Sequence, residues 1–342
     1  MVCNSETVGF LLRNKLWVGI LVSGLQPIRW RTDPYSRLQM PEEKKSLVRS
    51  LVMGFSAEGS RQRQHRQHEH RDHVDEDNDD GDKSDPESDA DFDDFIVGKG
   101  KGLIFLLHGE PGLGKTLTAE SVAESTRKPL YQVSTGDLDI DVKGLEDQLV
   151  KVFRLGLRWG AVVLLDEADV FMARRSSAEL QRNSIVAVFL RMIEYYEGML
   201  FLTTNRVEDF DPAFYNRVHV TIQYQNLGPS ERQNIWRQHL ARACKLNRNR
   251  DLWNEDAYRL LGSIDTNGRD IRNATRTATG IARSTDADLD ITHVVAVMRN
   301  NLSGTQDLAG TGADLGNLDQ VLGELMQLHE KLKSAVDVRK GL

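Results

Sequence analysis

One eight-residue segment, GEPGLGKT at positions 109–116, has the residue types and spacing of a phosphate-binding loop. Its glycines allow backbone N–H groups to turn inward around phosphate oxygens, while Lys115 can reach the β- and γ-phosphates of a nucleotide. Thr116 offers a hydroxyl to Mg²⁺, and the N-terminus of a following helix adds partial positive charge. The alternative is a glycine-rich turn that fits the pattern by chance. We predict that the nucleotide is bound by Gly109, Glu110, Pro111, Gly112, Leu113, Gly114, Lys115, Thr116 and Leu117.

Acidic and amide side chains end two other apolar runs. In VVLLDEAD (162–169) four apolar residues precede Asp166, and FLTTN ends in Asn205. Ligands of open α/β sheets bind at the carboxyl ends of strands, so we predict that Asp166 and Thr116 hold Mg²⁺. Glu167 would be the base that polarises an attacking water, and Asn205 would orient that water. Carboxylates that cap a helix, and an asparagine in a turn, are the alternatives.

Strand and helix patterns alternate around these residues. The continuous apolar run LIFLLH (103–108) predicts a strand covered on both faces. Further strand patterns are PLYQVS, AVVLLDEADVF, MLFLTTN and RVHVTIQY, with helical patterns between them. This alternation is typical of βαβ units and a mostly parallel sheet. Because only helical patterns follow Pro229, we predict an α/β domain followed by a small all-helical domain.

The chain divides by composition into five predicted regions. Residues 1–55 combine strand-like material, including LWVGILV, which we predict to be buried, with a helical stripe of Leu47, Val48, Leu51 and Val52. Residues 56–92 are histidine-rich and then acidic, with few apolar residues, which predicts a disordered linker. The α/β core spans 93–226, the helical domain 227–304, and a linker with an amphipathic C-terminal helix 305–342.

Composition lowers the expectation for several functions. A net charge of −7 argues against a nucleic-acid partner, because phosphate backbones need clustered Lys and Arg. LWVGILVSGL is too short to span a bilayer, which needs about 20 apolar residues. Cys3 and Cys244 lack metal-ligand spacing, which suits a reducing compartment, so we expect an intracellular protein of the cytoplasm or nucleus. His65, His68, His70 and His73 could bind a metal weakly, but a solvated linker is the favoured interpretation.

These motifs together resemble the AAA family of ATPases over about residues 93–300, most closely a fungal-type group with KGKGL, EYYEG, LTTNR and GRDIRNA. The resemblance implies a P-loop NTPase fold, a three-layer αβα core with a parallel sheet and a helical lid. It also implies ATP and Mg²⁺ as ligands and a homo-oligomeric ring, usually a hexamer. By this resemblance Arg217 would be an arginine finger that completes a neighbouring subunit's site. Arg269 would contact the γ-phosphate from the lid, with Arg272 the second choice.

The resemblance leaves the client open. Ring ATPases that thread a polypeptide usually have an aromatic residue in the loop after the second strand. Here that loop reads STGDLDIDVKGLED; it is acidic, and no aromatic residue lies between Tyr131 and Phe153. The sequence therefore does not predict threading by an aromatic residue. Our first hypothesis is a Mg²⁺-dependent ATPase that remodels a protein client. A nucleotide-controlled scaffold and a DNA-handling protein are the alternatives. Arg217 could also be a solvated surface charge.

Overall fold

The computed structural model describes residues 5–31, 33–72, 101–139, 141–175, 179–206, 210–244, 252–309 and 315–340. Two compact units are distinguished. The first comprises residues 1–109 and 115–224, and the second comprises residues 110–114 and 225–342. The loop residues 110–114 therefore group with the helical unit, although their flanking residues belong to the α/β unit.

A five-stranded parallel sheet forms the centre of the first unit. Its strands are β3 (Leu103–His108), β4 (Leu130–Ser134), β5 (Val162–Asp166), β6 (Met199–Thr204) and β7 (Val220–Gln223), in the order β4-β5-β6-β3-β7. The helices between them are α3 (Lys115–Ser125), α4 (Val142–Trp159), α5 (Asp169–Met172) and α6 (Leu180–Glu194). Every residue of β3 and β6 is buried. Central strands with both faces covered need apolar side chains at consecutive positions, as these sequences have.

Alternate strand residues contact different layers of the unit. Ile104 and Leu106 join a cluster with Leu145 and Phe189, which come from α4 and α6. Phe105 points to the opposite face, where its ring stacks on Phe201 at 4.5 Å. The predicted α/β fold with a parallel sheet and flanking helices is confirmed. One detail of the prediction is wrong: β5 ends at Asp166, and the sequence DVFM forms α5 instead of continuing the strand.

An antiparallel hairpin precedes this sheet in the chain. Its strands are β1 (Glu6–Leu11) and β2 (Leu16–Leu21). The centre of the Phe10 ring lies 5.0 Å from that of the Trp159 ring and 6.0 Å from that of the Tyr131 ring. These contacts attach the hairpin to the end of α4 and to β4. LWVGILV is therefore a strand, but the prediction that it is buried is wrong. Leu16 and Trp17 are both more than half exposed, and because successive strand residues point to opposite faces, neither face of the hairpin is fully covered at this end.

Helix α2 (Glu42–Asp72) follows α1 (Asp33–Ser36) and also corrects the sequence prediction. Val48 and Val52 are buried as predicted, whereas Leu47 is half exposed. The predicted disordered linker began at residue 56, but the helix continues to Asp72. The Gln, Arg and Glu residues of this segment have high helix propensity, so a polar composition does not exclude a helix. The remainder of that linker lies outside the described residues.

The regular secondary structure in the described part of the second unit is all helical. Its helices are α7 (Pro229–Ala243), α8 (Glu255–Ser263), α9 (Gly268–Ser284), α10 (Ile291–Ala309) and α11 (Leu315–Lys340). Their core includes Trp236, Leu261, Ile271 and Val294. Leu322 and Leu325 of α11 are fully buried in this core, so the predicted amphipathic C-terminal helix packs within its own unit. Helix α10 also extends through residues 305–309, which were predicted to be linker, because one internal glycine costs a helix only about 1 kcal/mol.

Candidate nucleotide site

The loop between β3 and α3 has the backbone that its glycines predict. The φ angles are 146° at Gly109 and 100° at Gly114, in the region that residues with a Cβ rarely adopt. A Cβ at Gly109 would lie 2.6 Å from the carbonyl oxygen of Tyr224, whereas a Cβ at Gly114 would enter open space. Gly109 is thus required by close packing, and Gly114 by its backbone angle alone.

Lys115 connects this loop to the end of β6. Its Nζ donates to the Gly109 carbonyl oxygen and to Asn205 Oδ1, each at 2.8 Å. The side chain is 8% exposed. Burial, followed by the nearby cations Lys44 and Lys115, also lowers the pKa of His108, so His108 is neutral at pH 7 beside the buried ammonium group. Lys115 and Asn205, which the sequence places 90 positions apart, are therefore in direct contact.

Thr116 and Asp166, the two predicted magnesium ligands, also meet. The Thr116 hydroxyl lies 3.2 Å from Asp166 Oδ1 and 3.3 Å from Oδ2. Together they present hydroxyl and carboxylate oxygens, the hard ligands that Mg²⁺ prefers. Among the described residues, no three His, Cys, Asp or Glu side chains form a metal-binding group. These two residues fit a magnesium ion that takes its remaining ligands from water and phosphate, as Mg²⁺ usually does.

Three residues that the sequence analysis missed surround Asp166 and Glu167. Thr203 donates its hydroxyl hydrogen to Asp166 Oδ1, and Gln132 Nε2 donates to Asp166 Oδ2 at 3.3 Å. The Thr135 hydroxyl contacts the carbonyl oxygens of Asp166 and Glu167. Thr135 directly follows β4 and Thr203 lies near the carboxyl end of β6, and these two strands are the neighbours of β5. Polar residues near the ends of the predicted strands were the available signal.

Glu167 has a strained backbone and an exposed side chain. Its φ is 57°, in the left-handed region that is unfavourable for residues with a Cβ. Its amide donates to Thr203 Oγ1 at 3.0 Å. The residue is exposed, next in sequence to the predicted magnesium ligand. A carboxylate in this position can contact a water molecule, as the predicted general base must.

Comparison with known proteins agrees with this arrangement. The sequence model of the family described as "ATPase family associated with various cellular activities (AAA)" matches residues 105–226. Residues 105–226 are an AAA domain.

Two relatives illustrate what this AAA domain is similar to. The chain is 31% identical over 147 residues to the ATPase family AAA domain-containing protein 3A homolog of Drosophila melanogaster, covering 41% of this chain and 24% of that protein. It is 26% identical over 214 residues to the 26S proteasome regulatory subunit 4 homolog of Dictyostelium discoideum, covering 59% and 47%. The matched region thus spans less than half of either relative. No helix in the described part of the chain is long and apolar enough to cross a membrane.

Arg217 of the AAA domain, the predicted arginine finger, makes an ion pair within its own chain. Its Nε and Nη2 donate to Glu194 Oε2 at 3.0 and 2.7 Å, and its Nη1 donates to the Ala213 carbonyl oxygen at 2.8 Å. The Arg217 side chain remains 25% exposed. No acidic residue lies within five positions of Arg217 in the sequence, and the fold supplies Glu194 from the end of α6. Its role toward another subunit stays a prediction.

A second ion pair fixes the turn that leads to Arg217. Arg175 donates to Asp211 through Nε at 2.6 Å and Nη2 at 3.3 Å, and the Ala213 amide donates to Asp211 Oδ1 at 3.0 Å. Asp211 is buried. Burial acts to raise the pKa of Asp211, but the hydrogen bonds from Arg175 and Ala213 outweigh it and leave that pKa below its usual value. This carboxylate therefore stays ionised and holds the turn Pro212–Phe214.

Arg269 lies in the first turn of α9 in the second unit. Asn267 caps that helix by accepting from the Asp270 amide at 3.0 Å. Within this unit, a Cβ at Gly112 would lie 2.5 Å from Asn267 Oδ1 and 3.2 Å from the Cβ of Arg269. Burial, followed by the charges of Arg242 and of the alternative residue Arg272, lowers the pKa of His239 on α7. Gly112 of the loop thus lies beside Arg269, and the contact of Arg269 with a γ-phosphate stays a prediction.

Proposed function

We propose that this protein binds ATP with Mg²⁺, hydrolyses it to ADP and phosphate, and works as a homo-oligomeric ring, a hexamer, that remodels a protein client. The observation that carries this proposal is the convergence of Lys115, Thr116, Asp166 and Asn205 through hydrogen bonds at the carboxyl ends of β3, β5 and β6. Family membership supports ATP binding. The exposed carboxylate of Glu167 next to this cluster supports hydrolysis.

Each residue has a separate task in the proposed reaction. Lys115 binds phosphate oxygens, and the backbone of loop 109–116 donates N–H groups to them. Thr116 and Asp166 hold Mg²⁺, which when bound stabilises negative charge on the phosphate oxygens. Glu167 takes a proton from the attacking water or orients it, and Asn205 positions the same water.

The oligomeric part of the proposal depends on Arg217. An arginine finger neutralises charge on the transferring phosphoryl group and contributes about 10³–10⁵ in rate where it acts. Arg217 is partly exposed and follows a turn fixed by the Arg175–Asp211 pair, which supports a role at a subunit interface. One relative is named as a regulatory subunit of the 26S proteasome, and by analogy we propose that this chain also works within a larger assembly.

The test is ATP turnover per subunit across a protein dilution series for the wild type, Glu167→Gln and Arg217→Ala. We expect turnover per subunit to rise with concentration, and both variants to lose turnover while retaining ATP binding. Concentration-independent turnover that Arg217→Ala leaves unchanged would contradict the ring mechanism.

A nucleotide-controlled scaffold is the second candidate, and the Arg217–Glu194 ion pair favours it. This pair satisfies Arg217 within one chain, as expected if the arginine is structural. In that case the wild type binds ATP tightly but hydrolyses nothing at any concentration in the dilution series.

A further inference from the structure

One buried hydroxyl joins the predicted magnesium ligand to the predicted general base. Thr203 is 1% exposed, donates to Asp166 Oδ1 and accepts from the Glu167 amide at 3.0 Å. We propose that Thr203 is a positioning residue that sets the Asp166 carboxylate for Mg²⁺ and holds Glu167 in its strained conformation. This inference rests on the proposed function, because it concerns the same site.

The chemistry of a hydroxyl suits this double role. A threonine hydroxyl has one hydrogen to donate and two lone pairs that accept, so both contacts can form together. Valine has the same shape but can form neither. Because Thr203 is buried, its hydroxyl contacts the two neighbouring residues without competition from bulk water. Among the described residues, Thr116, Gln132 and Thr203 donate to Asp166, and of these three Thr203 also accepts from the Glu167 amide.

Glu167 needs such a partner because its backbone angle is unfavourable. A φ of 57° at a glutamate persists only where surrounding contacts fix it. Thr203 holds the Glu167 amide, and Thr135 contacts its carbonyl oxygen. Release of the amide would let the backbone relax to an ordinary conformation and move the carboxylate away from the place it needs to contact the attacking water of the proposed reaction. Thr203 therefore acts through both Asp166 and Glu167 without touching the reacting atoms.

The next residue in β6 provides a matched control. Thr204 is equally buried, but its hydroxyl donates to Asp169 and accepts from the Arg206 amide at 2.9 Å. Successive strand side chains point to opposite faces, which explains why adjacent threonines have different partners. A general effect of losing a threonine from β6 would appear at both positions, whereas an effect on Asp166 and Glu167 would appear only at Thr203.

The experiment compares Thr203→Ala with Thr203→Ser, which both lack the γ-methyl group and differ in the hydroxyl. The first measurement is the Mg²⁺ concentration that half-saturates binding of a fluorescent ADP analogue, and the second is kcat for ATP hydrolysis. Hydrogen bonds to charged groups are the stronger kind, so we expect Thr203→Ala to raise the half-saturating Mg²⁺ and lower kcat, each roughly tenfold or more. Thr203→Ser should stay within about threefold of the wild type, because it keeps both bonds. Thr204→Ala and Thr204→Ser should share the wild-type Mg²⁺ half-saturation.

Equal values for Thr203→Ala and Thr203→Ser in both measurements would overturn the proposal, as would an equal shift from Thr204→Ala. If Thr203→Ala does not fold, Thr203→Val preserves the side-chain volume and takes its place against Thr203→Ser. A wild type that binds the ADP analogue with Mg²⁺ but hydrolyses no ATP would refute the proposed function alone. The Mg²⁺ titration would then still decide whether Thr203 positions Asp166. A wild type that binds no nucleotide would refute both.

Discussion

The buried carboxylate of Asp211 allows a quantitative prediction. Asp211→Asn keeps the shape of the side chain but removes the charge that accepts from Arg175. Hydrogen bonds to charged groups contribute about 1.5–3 kcal/mol. Because the Arg175 side chain is 49% exposed and screened by water, we expect a loss of about 1–2 kcal/mol in the free energy of unfolding at pH 7.

The same pair predicts a pH dependence with a definite sign. The pKa of Asp211 is lowered in the folded protein, so between its folded and unfolded values the unfolded chain binds more protons. The contribution of Asp211 is therefore complete above the ordinary aspartate pKa of about 3.9, and it is lost as the pH falls through the folded value. The stability difference between the wild type and Asp211→Asn should be constant from pH 7 to pH 5 and should narrow below about pH 4.

Urea unfolding followed by circular dichroism across this pH range measures the difference. Glu179→Gln is the control, because its ion pair with Arg182 is 3.0 Å long and half exposed at both ends. We expect that control to cost less than about 0.5 kcal/mol. The reasoning is refuted if Asp211→Asn costs no more than Glu179→Gln at pH 7, or if the difference widens in acid.

Three further predictions concern single positions. Val48→Ala should lower the free energy of unfolding by roughly 1–3 kcal/mol, because Val48 is fully buried. Leu47 is half exposed, so Leu47→Ala should change that free energy by less than about 0.5 kcal/mol. Equal losses for the two variants in urea unfolding would contradict the burial of Val48. Gly114→Ala should weaken ATP binding, as measured by titration calorimetry. The added Cβ has space, but an alanine backbone is strained at a φ of 100°. An unchanged affinity would show that this backbone angle is not needed for binding. Arg217→Lys should reduce ATP turnover nearly as much as Arg217→Ala does, because lysine keeps the positive charge but lacks the planar set of N–H donors of arginine. Wild-type turnover in Arg217→Lys would show that the charge alone is sufficient.

Much of the core could be predicted because its sequence signals are local. The run LIFLLH forms β3 with the predicted bounds, and the phosphate-binding pattern follows it directly. A strand covered on both faces has few alternatives to consecutive apolar residues. The extent of α2 could not be predicted in the same way, because a polar composition is compatible with both a coil and a helix.

Side-chain partners from distant positions were the harder part of the site. Asn205 was predicted from the segment LTTN but Thr203 was not, although Thr203 is the penultimate residue of β6 and Asn205 directly follows that strand. Asn205 has a side chain that suggests catalysis, whereas threonine is common in strands. Only the pairing of β5 with β6 shows that Thr203 lies next to Asp166 and Glu167. The local sequence does not show which strands are neighbours in the sheet.

Arg217 shows how such a distant partner changes the interpretation of a motif. In the sequence it is a cation without an acidic residue close by, so it can be interpreted either as a solvated surface charge or as an arginine finger that reaches the site of a neighbouring subunit. In the structure Glu194 accepts from two of its nitrogens while the side chain stays one-quarter exposed. A guanidinium group has five N–H donors, and the contacts with Glu194 and Ala213 use three of them. The ion pair can therefore orient Arg217 without using all of its donors, so a structural role within the chain and the proposed role across a subunit interface are compatible.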